Sequence, residues 1–161
     1  MNTAVILAAG RGSRLKELSL KQPKPMTEVN KNGILNNLIA HLIKAGLKQI
    51  VVVTGYFADK LKNDIFDHFE GQAEFKFVEN KIFDSTNNIY SLWLAADYLK
   101  DGFYLFEADV FCEYRIIENL VSHPAEDIYL LGKYRELMNG TVVDLDETGR
   151  IKNMYLKRHQ N

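Results

Sequence analysis

A single cysteine, Cys112, stands in 161 residues, so no internal disulfide can form and an oxidising compartment is not implied. No apolar run approaches the ~20 residues of a membrane span. Met1 is followed by a polar pair and a short apolar strand, not by the basic and hydrophobic regions of a signal peptide. The expectation is a cytoplasmic protein without a membrane partner. The four histidines, His123 and His159 among them, are scattered without metal-ligand spacing and read as structural or solvated. Repeats and low-complexity segments are absent as well. A formal net charge of −1 argues against general nucleic-acid binding. What is present is an ordinary globular composition, 47% hydrophobic and 25% charged, in one domain long enough for a sheet covered by helices.

The charge is unevenly spread. Residues 1–31 hold six Lys or Arg against Glu17 and Glu28, and the positive excess coincides with the stretch Leu7–Pro25, LAAGRGSRLKELSLKQPKP. Before it, Ala4–Leu7 reads as a buried strand, and Ala8 and Ala9 are too small to block the space above. Gly10 and Gly12 permit positive φ and a close approach of backbone N–H groups to an anion. Arg11, Arg14, Lys16, Lys21 and Lys24 follow, with Pro23 and Pro25 fixing φ on both sides of Lys24. A GxG after a strand can also be only a tight turn, and a lysine between prolines only a solvated loop residue. A dinucleotide fingerprint needs a third glycine where Leu15 stands, and a P-loop needs a GK[ST] ending that is missing.

Downstream, helical spacing over Ile34–Ala45 predicts a helix ended by Gly46, Gln49–Thr54 predicts a buried strand followed by Gly55 and Tyr56, and a helix is expected over Ala58–Phe69. A strand over Ala73–Val78, a loop over Asn80–Asn88, a helix over Ile89–Leu99 with Tyr90, Trp93 and Tyr98 packing, and a buried strand over Gly102–Ala108 continue the alternation. This is the pattern of a Rossmann-like, mostly parallel sheet flanked by helices. Ile128–Gly132 reads as strand, and Thr141–Leu145 with Ile151–Leu156 as a C-terminal β-hairpin. In parallel sheets ligands bind at the carboxyl ends of strands. There Asn80, Asn87 and Asn88 carry amides able to recognise a base edge, although asparagine is also a common loop residue. Asp109, directly after a strand, can hold Mg²⁺ against triphosphate oxygens or cap the helix that follows.

GxGxRL, a spacer and PKP together resemble the nucleotidyltransferases that join an NTP to a phosphorylated small molecule. The resemblance implies the nucleotidyltransferase, glycosyltransferase-A-like architecture, with Leu7, Ala8, Ala9, Gly10, Gly12, Ser13, Gly55, Tyr56, Asn80 and Asn88 binding the nucleotide. Arg14, Lys24 and Asp109 would then be catalytic, Asp109 as the ligand of Mg²⁺. NNIYSL, followed by a helix and an ADV strand end, is similar to the phosphocholine cytidylyltransferase branch, which implies CTP and an acceptor such as phosphocholine. A sugar-1-phosphate uridylyl- or thymidylyltransferase and a non-catalytic nucleotide-binding module are the alternatives. Members of the family continue past the hairpin, so the chain is expected to lack C-terminal segments of the family. Arg135–Val143 lacks the aromatic residues that a choline cage would want. Glu107 has no assigned role.

Overall fold

The structure, a computed structural model, describes residues 1–12, 17–125, 127–135 and 140–155. In chain order its elements are β1 (Thr3–Ala8), α1 (Glu17–Lys21), β2 (Glu28–Val29), β3 (Asn32–Gly33), α2 (Ile34–Lys44), β4 (Gln49–Thr54), α3 (Ala58–Phe69) and β5 (Glu74–Glu79). They continue with α4 (Asn88–Leu94), β6 (Tyr104–Glu107), α5 (Tyr114–Ser122), β7 (Val142–Leu145) and β8 (Ile151–Tyr155). The chain divides into two compact units, Met1–Pro124 and Ala125–Asn161. Among the described residues no helix is long and apolar enough to cross a membrane.

The first unit is built on a four-stranded sheet in the order β5-β4-β1-β6, every pairing parallel. Right-handed crossovers step from β1 to β4 through α2 and from β4 to β5 through α3, which puts both helices on one face. The return from β5 past β1 to β6 runs the other way, so α4 covers the opposite face. Side-chain alternation agrees with this. Val5, Leu7, Val51 and Val53 form a buried cluster with Ala95, against which Leu92, Tyr98, Leu99 and Phe103 pack. Their neighbours Ala4, Ile6, Ile50 and Val52 point the other way and are equally buried, as are Leu38 and Leu42 of α2 and Leu61 and Ile65 of α3. Burial on both faces is the reason that β1 and β4 read as continuous apolar runs. Gly46, at φ +89°, ends α2 as expected, its N–H bonded to the Ile43 carbonyl.

Three expectations change. The helix over Ile89–Leu99 is a seven-residue α4 and a separate 3-10 turn at Ala96–Tyr98, because the chain tightens at Ala95, whose N–H bonds to the Leu92 carbonyl. Trp93 is consequently 63% exposed, its ring meeting only that of Tyr90 among the described residues, not a packing group as its spacing suggested. The strand over Gly102–Ala108 is the shorter β6, an edge strand of its sheet with Leu105 46% exposed. In the second unit β7 and β8 pair antiparallel around a turn in which Asp146 Oδ1 accepts from Thr148 and Arg150, so the hairpin stands. Ile128–Gly132 is not strand, since no described segment pairs with it and Tyr129, Leu130 and Leu131 are left exposed.

Candidate active site

The sheet reverses its winding at β1, and in such sheets the crevice beyond the strand ends at the reversal is where ligands lie. Leu7 pairs with Glu107, and the ladder continues one step further through the Ala108 N–H to the Leu7 carbonyl. Past that point the two chains part. The glycine loop leaves β1 through Ala9, whose carbonyl accepts from the Tyr56 N–H at 3.0 Å. A methyl on Gly55 would lie 2.7 Å from this same carbonyl oxygen, so Gly55 is bare to let the loop sit down on the end of β4. Of the two loop glycines only Gly12 has positive φ, +65°. A Cβ at Gly12 would also come within 2.9 Å of the Lys24 Cβ, whereas one at Gly10 would meet nothing within 4 Å.

Lys24 is presented by a 3-10 turn, Lys24–Met26, entered through Pro23 at φ −65°. The Met26 N–H bonds to the Pro23 carbonyl and the Thr27 N–H to that of Lys24, both at 3.0 Å, and Pro25 is buried. The backbone of Lys24 is thus fixed from both sides while its ammonium reaches across the crevice. Its Nζ donates to Asp109 Oδ2, an ion pair between residues 85 apart in sequence. Asp109 is not a helix cap: α5 starts at Tyr114 with Glu113 in the capping position.

Around this pair is a cavity of about 280 Å³, lined by Leu7, Ala8, Ala9, Gly10 and Gly12, by Lys24 and Pro25, by Asn88 and Ser91, and by Glu107, Ala108 and Asp109. Asn88 Nδ2 donates to Glu107 Oε1 at 2.8 Å. Loss of hydration pushes the Glu107 carboxyl above its ordinary value, helped by the charge of Asp109 and opposed by the Asn88 hydrogen bond and by Lys24. Among the described residues no three His, Cys, Asp or Glu converge as a self-sufficient metal site.

The cavity therefore gathers Leu7, Ala8, Ala9, Gly10, Gly12, Lys24, Asn88 and Asp109 from the residues singled out in the sequence. Gly55 and Tyr56 lie behind the loop, outside the lining, where the Tyr56 ring meets the Arg11 guanidinium at 5.3 Å and Phe57 at 4.4 Å. Asn80 is 1% exposed and its amide is committed to Thr86, Ser91 and the Ile82 N–H, so it braces the loop and does not offer an edge to a base. Asn87 caps α4 by accepting from the Tyr90 N–H. Ser13 and Arg14 lie outside the described residues. Ser91 and Glu107 are additions. Ser91 was findable as the residue three after Asn88 on the same helix face, and Glu107 as the residue whose alternation matches Leu105, on the face of α4.

Relatives match most of this chain while being longer themselves. It is 32% identical over 157 residues to the CMP-5′-(3-aminopropyl)phosphonate synthase of Streptomyces rubellomurinus, covering 98% of this chain and 25% of that protein. With the 2-aminoethylphosphonate cytidylyltransferase of Lancefieldella rimae it shares 33% identity over 150 residues, 92% of this chain and 58% of the relative. The chain thus spans between a quarter and somewhat over half of these curated relatives. Among solved structures, the CTP:phosphocholine cytidylyltransferase of Streptococcus pneumoniae superposes with a TM-score of 0.76 at 23% identity over 97% of this chain and 65% of that one, a likeness of fold. The profile described as Nucleotidyl transferase matches residues 3–155, and with that extent of agreement the chain belongs to the nucleotidyl transferase family.

Proposed function

We propose that the chain carries out cytidylyl transfer: an oxygen of a small phosphate- or phosphonate-bearing acceptor, of the phosphocholine or aminoalkylphosphonate kind, attacks the α-phosphorus of CTP. The new P–O bond forms as the bond from the α-phosphorus to the bridging oxygen breaks, and pyrophosphate leaves with the electron pair. The observation that carries this reading is the meeting of Lys24 and Asp109 across the mouth of a cavity floored by the glycine loop. Such a transfer relies on positioning and on fixed charge, not on a covalent intermediate with the protein. Lys24, held by its prolines, would meet the negative charge of the α-phosphate and the acceptor. The loop N–H groups would bind phosphate oxygens, and Arg14 would stabilise the departing pyrophosphate. The names of the relatives, which concern CTP and phosphonate or phosphocholine, support both base and acceptor class.

Mg²⁺ fits the donors present. That ion takes one or two carboxylates and fills its shell with water and substrate phosphate oxygens, and Asp109, with Glu107 lining the same cavity, supplies that number of carboxylates. When bound it would neutralise charge on the triphosphate. The test is pyrophosphate release with each of the four NTPs against phosphocholine, 2-aminoethylphosphonate and sugar 1-phosphates. Release with CTP and the first two acceptors is expected. Release with UTP or dTTP and sugar 1-phosphates alone would replace this reading by the sugar-nucleotide one.

A further inference from the structure

One side of the cavity carries hydrogen-bonding groups whose sense is fixed by their neighbours Asn80 and Glu107. Ser91 is 4% exposed, lines the cavity and stands three residues after Asn88, so the two share a face of α4. Asn80 orients Ser91. Its Oδ1 accepts from the Ile82 N–H at 3.1 Å, and a backbone N–H can only donate. The amide must therefore turn its Nδ2 toward Thr86 Oγ1 at 2.9 Å and Ser91 Oγ at 3.1 Å. Ser91, already accepting, is left with a proton to donate, and among the described residues no acceptor takes it. Glu107 orients Asn88 in the same way. A carboxylate oxygen accepts, so Asn88 turns Nδ2 to it at 2.8 Å and keeps Oδ1, an acceptor, for the cavity.

We propose that Asn88 and Ser91 read the base of the nucleotide, Asn88 Oδ1 accepting from an exocyclic amino group and Ser91 Oγ–H donating to the ring nitrogen beside it, the 4-amino group and N3 of cytosine. This deepens the cytidylyl-transfer reading and rests on it. Uracil and thymine put a carbonyl oxygen and an N–H at those two places. Both contacts then reverse, acceptor against acceptor and donor against donor: Glu107 keeps the Asn88 amide from turning over to suit, and the Ser91 hydroxyl, one of whose lone pairs Asn80 occupies, meets a ring N–H only by withdrawing its proton from the cavity. Discrimination of this kind comes from unmatched polar groups as much as from matched ones. Adenine shares the amino-and-nitrogen order, so the pair sorts amino from keto bases and, among pyrimidines, selects cytosine.

The test is calorimetric titration, in Mg²⁺, of the chain, Ser91→Ala and Glu107→Gln with CTP, UTP and 3-deaza-CTP, in which C–H replaces N3. The unaltered chain should bind CTP at least ~10-fold more tightly than either analogue, the usual discrimination of one well-placed pair of base contacts. Ser91→Ala should bind CTP and 3-deaza-CTP alike. Glu107→Gln, whose amide can pair with Asn88 in either sense, should lose its preference for CTP over UTP, and any loss of metal affinity falls on both nucleotides equally. If Ser91→Ala does not fold, 3-deaza-CTP with the unaltered chain tests the same contact. Equal binding of CTP and UTP by the unaltered chain, or preferences that survive in both variants, overturns the base-reading pair and leaves the nucleotide site standing. No binding of any NTP overturns the site and the pair together.

Discussion

Adding one methyl group at Gly10 separates the demands of the fold from those of a ligand. An alanine Cβ there would meet no atom of the protein within 4 Å, and the φ of Gly10 is not in the positive region, so Gly10→Ala fits the existing backbone. Glycine to alanine at a compatible φ raises stability by about 0.4–1 kcal/mol, through the narrower unfolded ensemble. Yet Gly10 lines the cavity, and the methyl would stand where the proposed nucleotide site meets the loop. Forcing an extra carbon into a filled contact costs about 1–3 kcal/mol, or roughly 5- to 150-fold in Kd. Urea denaturation and titration with CTP and Mg²⁺ should therefore move in opposite directions. A fall in stability of more than about 1 kcal/mol would mean that the glycine serves the turn. Unchanged affinity would mean that the nucleotide does not come near Gly10, and the cavity would lose its claim to be the site.

Gly12→Ala should behave differently, losing about 1–2 kcal/mol in denaturation from its left-handed backbone alone, with the contact to the Lys24 Cβ adding to it. Lys24→Ala should lower turnover by on the order of a hundredfold while CTP affinity falls much less, since a preorganised charge acts mainly in the transition state; equal losses in both would make Lys24 a binding residue. Asp109→Asn should weaken Mg²⁺-dependent nucleotide binding far more than it lowers the melting temperature, and the reverse ranking would return Asp109 to a structural role. Burial, and secondarily Lys44, hold His41 below the ordinary imidazole value. Its stabilisation is therefore present above the unfolded pKa and lost as pH falls through the folded one, so the melting temperature should drop from about pH 7 to about pH 5, and drop less in His41→Leu.

The fold was legible wherever burial on both faces left an unbroken apolar run or a wide helical stripe. The strand Gln49–Thr54 and the helix Ala58–Phe69 could be read to the residue, because their ends coincide with Gly55 and with the change from helical to strand period. Residues 89–99 misled because a 3-10 turn keeps nearly the spacing of an α-helix, so Ala95 and Leu99 remain inward across the break. Ile128–Gly132 misled because apolar composition does not supply a strand partner. At the site, Gly12, Lys24 and Asp109 were visible as residue types that the local sequence alone does not need. Asn80 was not separable from Asn88 in sequence: the two differ in which backbone groups surround them, and only the packed loop decides that one is braced and the other faces the cavity.

The strand order has a consequence for where this molecule yields first. β1 pairs with β4 from Ala4 to Ile50, but with β6 from Ala4 to Tyr104, so the crevice is closed by the ladder of greatest sequence separation, made by a four-residue strand held on one side within its sheet. Such a strand detaches at less free energy than the β4-β1 pair, whose six-residue ladder joins better-buried residues. When it does, Asp109 departs with it and Lys24 loses its counterion, while the glycine loop stays on its support at Gly55. A ligand spanning both banks works as a clasp on this margin, and the amide protons of residues 104–107 should exchange more slowly with nucleotide and Mg²⁺ bound, with those of β4 hardly affected.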